Sequence, residues 1–453
     1  MEQNRKDVEA ILSDPKKAIL HMSVPLFFAF LVGTLQTFID RVWCSGLGPD
    51  DLSAINIGGP AYQIILAIGM AMGVGVSAAM ARALGSDDKE KAKRIASQGM
   101  VVTVFVAAAT MVCMFFCCET IVSISGNGYN VGITMEYMMP YIICTVPLVY
   151  NGLIIGMVRA EGAAKKSTML SITASLINMA LDPILIYGLD MGVTGAAWAT
   201  CISFIISTII GLSLYFRNKM YIQFSLKGFR FDRGLLWEIG VLTIPYAIEV
   251  VLMSLMIAPE QGLVASCSGS DGLVVYVSAF NYVGLVMIPA SAIAASLIPV
   301  MSAQLGQKSM SKVKESLRYS IKLVVIIEAV AGLILFVFAD QLIGLYTYSE
   351  GMAPLHDEMV LALRIYSIAP VTNAIQHIGT ATLKALRKAV VSTALSFIRE
   401  GMFLLFYWIA AQISMEAIYW SLDLTNTIMM FTVMAVTIIL IRVEARKMSA
   451  TTG

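Results

Sequence analysis

Charge is scarce here: only 13% of the 453 residues are Asp, Glu, Lys or Arg, where a soluble domain carries about 25%. With 58% hydrophobic residues and a mean hydropathy of +0.79, this excludes an ordinary soluble enzyme and points to a polytopic membrane protein. A net charge of +1 offers no basic excess for nucleic acid, and no such partner is expected. Histidine occurs three times. The cysteines at 44, 113, 117, 118, 144, 201 and 267 show no CxxC or Cys/His ligand spacing and read as small hydrophobes. There is no nucleophile elbow, zinc-binding helix or nucleotide loop. "GMAMGVG" (69–75) lacks the following Gly-Lys-Ser/Thr, and its Gly69 and Gly73 form GxxxG for close helix approach. No polar stretch is long enough for an ATPase domain. The expectation is therefore no enzyme and no cofactor, with an ion gradient as the energy source. Residues 1–17 mix acids and bases and lead into a full-length apolar run, so no cleaved leader is expected.

What is abundant is long apolar runs. A bilayer span needs about 20 mostly apolar residues. Twelve are predicted: 20–44, 55–81, 95–118, 131–158, 167–188, 192–216, 236–259, 272–303, 318–346, 358–383, 389–411 and 415–441. Of the 31 Lys and Arg, all except Arg41, Arg364 and Arg399 lie before span 1 or around the stretches after spans 2, 4, 6, 8, 10 and 12. Positive residues stay cytoplasmic. The reading is a multi-pass protein of the cytoplasmic membrane with both termini inside.

The chain repeats itself. "LGSDDKEKAK" (84–93) follows span 2 and "LGQKSMSKVK" (305–314) follows span 8, so Leu84, Gly85, Lys91 and Lys93 recur as Leu305, Gly306, Lys312 and Lys314. Pro25 near the start of span 1 recurs as Pro245, and "LS" at 170–171 recurs at 395–396. These matches predict an all-α membrane protein of twelve helices in two six-helix bundles, related by a pseudo-twofold axis along the membrane normal, with sites in or between them. The expected division is a cytoplasmic N-terminus (1–19), an N-lobe (20–216), a cytoplasmic linker (217–235), a C-lobe (236–441) and a cytoplasmic tail (442–453).

Against this apolar background "NMALDPILIY" (178–187) stands out, because Asp182 falls within a span. An Asp at a span centre costs about 2.5–3.5 kcal/mol on insertion scales and marks a functional site by default. Asn178 lies four residues earlier on the same helix face, and Pro183 frees a backbone carbonyl beside them. Span 6 returns after a turn near Asp190 and brings Thr200 to a similar depth. Asp40 follows Gln36 by four in span 1. At about 1.5 Å per residue its depth matches that of Asp182. Two carboxylates, an amide and a hydroxyl make an oxygen-lined place for H⁺ or Na⁺. Glu249, four residues after Pro245, is a candidate cavity acid, and Met253 a candidate cavity methionine on the same span. The 29 methionines suit varied apolar ligands. Glu328 and Asp423 read as structural acids satisfied by partners, and Arg399 as a side chain snorkelling to the cytoplasmic surface.

The segment "RAEGAAKKSTMLSITASLINMALDPILIYGLDMGVTGAAWAT" (159–200) resembles the multidrug and toxic compound extrusion (MATE) transporters. So do "PLFFAFLVGTLQTFID" in span 1 and "LGSDDKEKAKRIASQG" after span 2. The resemblance covers the whole chain and implies antiport: a drug or other toxic organic molecule leaves as H⁺ or Na⁺ enters. In the branch with an N-lobe cation site, matching motifs place that site on Asp40, Asn178, Asp182 and Thr200, with Asn151 as an addition. Two positions depart from the pattern. Asn281 in "SAFNYVG" stands where many relatives have a basic residue, and Glu249 resembles the branch with C-lobe acids. The expected partners are the lipid bilayer and small organic substrates, amphipathic or cationic, handled by a monomer. The alternative is a flippase for lipid or lipid-linked oligosaccharide, which would want a cavity rich in Arg and Lys.

Overall fold

The computed structural model describes residues 2–126, 128–223, 229–348 and 351–452, and among them there is helix and no strand. The helices are α1 (Glu2–Leu12), α2 (Pro15–Ser45), α3 (Pro49–Gly85), α4 (Lys89–Ser125), α5 (Val131–Ile143), α6 (Thr145–Ala160), α7 (Ala164–Pro183) and α8 (Gly192–Phe216). They continue with α9 (Arg233–Val286), α10 (Ile288–Gly306), α11 (Met310–Val337), α12 (Ala339–Gly344), α13 (His356–Tyr366), α14 (Ala369–Ala385), α15 (Ala389–Ala410) and α16 (Met415–Thr452). Local chemistry sets several starts. Asp14 accepts from the backbone N–H of Lys16 (3.0 Å) and Lys17 (3.2 Å), with Pro15 in the first turn of α2. Asp88 caps α4 through Lys91 N–H at 2.8 Å.

Ten of these helices are long and apolar enough to cross a bilayer, and α5 with α6, bent by 55° at Cys144, makes an eleventh span. The twelfth is α13 with α14, interrupted at Ser367–Ile368. Neither helix alone has the length of a span, and α14 carries the polar Thr372, Asn373, Gln376 and His377. The 54-residue α9 contains a break at Ser268 and Gly269 (φ 62°). It thus holds the seventh span and the start of the eighth, which α10 completes. The predicted loop between 259 and 272 is largely helical. The N-terminus also forms a helix, with Val8 and Ile11 buried, and the tail prolongs α16.

Packing divides the chain into two compact units: Met1–Ser254 with Ile298–Ser309, and Leu255–Leu297 with Met310–Gly453. This partition differs from one drawn at 217–235, of which residues 224–228 lie outside the described ones. Close backbone contacts explain the difference. A Cβ on Gly75 would stand 3.0 Å from Ile239 O, and one on Gly85 would stand 1.9 Å from Ala303 O. The first part of α9 and the end of α10 therefore pack with α3.

The internal repeat is visible in the backbone. Asp87 (φ 57°) and Lys308 (φ 55°) both take the left-handed region 221 positions apart. Asp88 N–H donates to Ala83 O at 3.0 Å, and Ser309 N–H donates to Gln304 O at 3.1 Å, again at that offset. The two copies also touch reciprocally. A Cβ on Gly306 would stand 2.1 Å from Arg82 O, as one on Gly85 would meet Ala303 O, and 82 and 303 are themselves repeat partners. Only glycine lets these helix ends meet on backbone.

On the same Lys/Arg-rich side, α1 is tied to two turns. The Asp7 carbonyl occupies the space a Gly162 side chain would need, Lys166 pairs with Asp7 at 3.5 Å, and Gln307 Nε2 donates to Leu12 O at 3.2 Å. Glu161, in the turn after α6, is buried and accepts from Tyr221 N–H at 2.6 Å. Burial pushes its carboxyl up to about 8.

Two outcomes are expected. Gly306→Ala places a methyl against Arg82 O and must separate the two helix ends. Hydrogen exchange should therefore rise several-fold in the 83–88 and 304–309 turns, and exchange mass spectrometry reads this directly. Glu161 binds its proton more tightly folded than unfolded. Its contribution to stability therefore falls as pH rises from about 4.5 to about 8. Glu161→Gln should flatten the fall of Tm across that window in pH-resolved thermal unfolding.

Candidate functional site

The helical path of α7 continues beyond Pro183. It widens into a π-helical turn, Ile184–Gly188, where the proline lacks the N–H that a regular helix would use. Asp190 (φ 53°) and Gly192 (φ 56°) then reverse the chain into α8. Tyr187 of the π turn donates to Trp43 O, and the two rings meet edge-on at 6.2 Å. This holds the end of α2 against α7, and with it Asp40 against Asp182.

The two carboxyl groups are in hydrogen-bonding contact. Asp182 and Asn178 are fully buried, Thr200 is buried, and Asp40 and Gln36 are half-buried, so the pair is reached from the Asp40 side. One end of the Asn178 amide lies 3.0 and 3.2 Å from the Asp40 oxygens and meets the Gln36 amide. The other end lies 3.3 Å from Asp182 Oδ1, 3.3 Å from Thr200 Oγ1 and 3.2 Å from Thr200 N. The Thr200 N–H only donates, so the oxygen faces Thr200 and the nitrogen serves Asp40. Asp182 Oδ2 has no hydrogen-bond donor among the described residues. No Lys or Arg forms an ion pair with either acid among those residues; Arg41, next in sequence, is exposed. Two carboxyls in contact, with one amide donor between them, leave room for one positive charge. A shared proton or a monovalent cation would supply it. Among the described residues no three His, Cys, Asp or Glu side chains converge, as a multivalent metal would favour.

The structure thus brings together Gln36, Asp40, Asn178, Asp182 and Thr200. The amide nitrogen of Asn151 is engaged elsewhere, donating to Ser207 Oγ (2.9 Å) and Thr208 Oγ1 (3.3 Å) between α6 and α8. Glu249 is buried in the same compact unit as the acid pair. Met253 is exposed on α9, and so is Asn281, which falls in the second unit.

Some polar residues were not singled out from sequence. Tyr141 on α5 hydrogen-bonds Thr200 and donates to Tyr137 at 3.1 Å, extending the polar cluster into the apolar core. The i,i+4 tyrosine pair was its one sequence signal. In the second unit, Glu260 and Glu400 contact one another, with Arg399 on Glu400 at 2.6 and 3.1 Å. This corrects the snorkelling expectation, because a carboxylate one residue away holds the guanidinium more closely than the membrane surface could. Glu260 escaped notice because the predicted span stopped at 259, one residue short.

The MatE family matches residues 25–184 and 245–409, one stretch in each half of the chain. The multidrug export protein MepA of Staphylococcus saprophyticus is 23% identical over 429 residues, covering 91% of both chains. An FAD transporter of Shewanella oneidensis is 25% identical over 353 residues, covering 76% of this chain and 77% of its own. An outward-facing multidrug resistance MATE transporter superposes with a TM-score of 0.93 at 26% identity, over 97% of this chain and 99% of its own. Twelve spans, a duplicated backbone and a family match in both halves leave one conclusion: the chain belongs to the MatE family, the multidrug and toxic compound extrusion transporters.

Proposed function

We propose that the protein is a cation-coupled antiporter that exports amphipathic, often cationic, organic compounds across the cytoplasmic membrane, with both termini inside. The observation that supports this reading is the buried contact between Asp40 and Asp182, which lacks a positive partner among the described residues. When empty, two carboxylates there repel one another; when loaded, a single H⁺ or Na⁺ joins them. Each state favours a different position of α2 relative to α7. Pro25 within α2 permits the bend, because it removes one hydrogen bond of the helix. Asn178 and Thr200 hold the site's polar atoms in place through either state. The similarity to MepA supports organic substrates of varied structure. One charge entering down about 100 mV supplies about 2.3 kcal/mol. That sustains roughly a 50-fold gradient of a neutral substrate.

The test is export of a fluorescent organic cation in inside-out vesicles under separately imposed H⁺ and Na⁺ gradients. One gradient should drive accumulation in the wild type. Asp40→Asn and Asp182→Asn should each lower the driven component at least about 10-fold, and Thr200→Val should lower it less. Undiminished accumulation by Asp182→Asn under the driving gradient overturns the reading. So does gradient-independent movement of a labelled lipid as the main activity, which would favour the flippase.

A further inference from the structure

Asp423, on α16, was expected to be a partner-satisfied structural acid. It is buried at 5% exposure, yet neither carboxyl oxygen has a hydrogen-bond partner among the described residues. Such a group is costly to keep in a membrane helix unless something brings it a positive charge or a donor. It forms part of the wall of a cavity of about 580 Å³ between α15, α16 and the break between α13 and α14. The remaining wall is almost entirely apolar, including Ile368, Phe406, Ile409, Trp420 and Leu424.

The position of the mouth follows from the helix surface. Trp420, Leu424, Phe431 and Ile438 are all exposed, at 49, 52, 66 and 40%. Their spacing places them on one stripe of α16. A stripe of large apolar side chains running the length of a membrane helix faces acyl chains. Trp420 and Leu424 continue it into the cavity, so the cavity opens sideways to lipid. Asp423 lies eight residues into the helix, about 12 Å from its start, below the level of a phosphate headgroup.

We propose that this crevice is a binding site for a lipophilic monocation that reaches it through the outer part of the bilayer, its hydrophobic body against Trp420, Ile409 and Ile368 and its charge over Asp423, whose carboxyl oxygens lie just beneath the crevice wall. The volume suits a drug-sized molecule. The buried carboxylate selects charge of one sign, and the apolar wall offers nothing to an anionic group. A zwitterionic lipid would bring a phosphate beside the carboxylate and is disfavoured. Trp420 adds an aromatic face on which a cation can rest. The site stands apart from the acid pair of the first unit and does not depend on which ion drives export.

Trp420 makes the site readable. In the full chain, the other tryptophans (Trp43, Trp198, Trp237 and Trp408) are replaced by Phe and the protein is held in lipid nanodiscs. Quenching of Trp420 is followed with three nitroxide probes: a quaternary-ammonium amphiphile, its uncharged hydroxyl analogue and a nitroxide phosphatidylethanolamine. The cation should quench saturably at a mole fraction about 10-fold below that of the other two. Asp423→Asn should remove this preference while leaving quenching by the uncharged analogue unchanged. Ala417→Leu, which fills the crevice and keeps the carboxylate, should weaken the cation by a similar factor and serves equally if Asp423→Asn does not fold. Equal quenching by all three probes overturns the proposal. So does a cation preference that survives both substitutions, or phosphatidylethanolamine quenching as efficiently as the cation.

Discussion

The contact between Asp40 and Asp182 is the constraint to which much of the first unit answers. Two carboxyl groups out of water repel one another when both are charged, and no packing of apolar side chains relieves that. What surrounds them keeps them together. The π turn after Pro183 carries Tyr187, which fastens the end of α2. Asn178 lies between the acids, and Thr200 fixes which way its amide points. Each of these groups satisfies a polar atom that would otherwise be stranded. Among the described residues, none of them brings the pair a positive charge.

Much of this was legible in the sequence because membranes make polar residues conspicuous. An Asp in an apolar run has few innocent explanations, and i,i+4 spacing places Asn178 and Gln36 on the faces of their acids. The depth match between Asp40 and Asp182 needed only helix rise and the positive-inside count. The duplication was legible too, since the turn residues that take positive φ recur with the sequence. What escaped were features set by helices in contact. Asn151 looked like a site residue by family pattern, yet its amide nitrogen is used between α6 and α8. The seventh span runs past its predicted end at 259, and Glu260 just beyond it meets a carboxyl partner within the protein, where an apolarity count sees only a boundary. The tenth span was read at 358–383, but its break at Ser367–Ile368 between α13 and α14 was not, nor the contact of Gln376 with Asn426 O at 2.9 Å.

The reciprocal glycine contact explains why the two halves keep their turn chemistry. Gly85 and Gly306 approach backbone carbonyls across the same junction, each on a residue equivalent to the other's partner. A change on one side alone would break the match, because the surfaces fit only as a pair. The contact also explains why the compact unit around α3 takes in the end of α10.

The two halves then differ where chemistry begins. Both bury a pair of carboxyl groups between helices. In the second unit Arg399 stands on Glu400, so the protein supplies the compensating charge itself. In the first no basic side chain does so among the described residues. A duplicated scaffold in this way carries one pair whose charge is met within the protein and one pair with no such partner among the described residues. The difference between them is an arginine folded onto its acid, Arg399 on Glu400, where Arg41 beside Asp40 is exposed. Asp423 has neither an arginine nor a second carboxyl, and its cavity opens to lipid. By the same reasoning, its counter-charge has to arrive on a molecule that dissolves there.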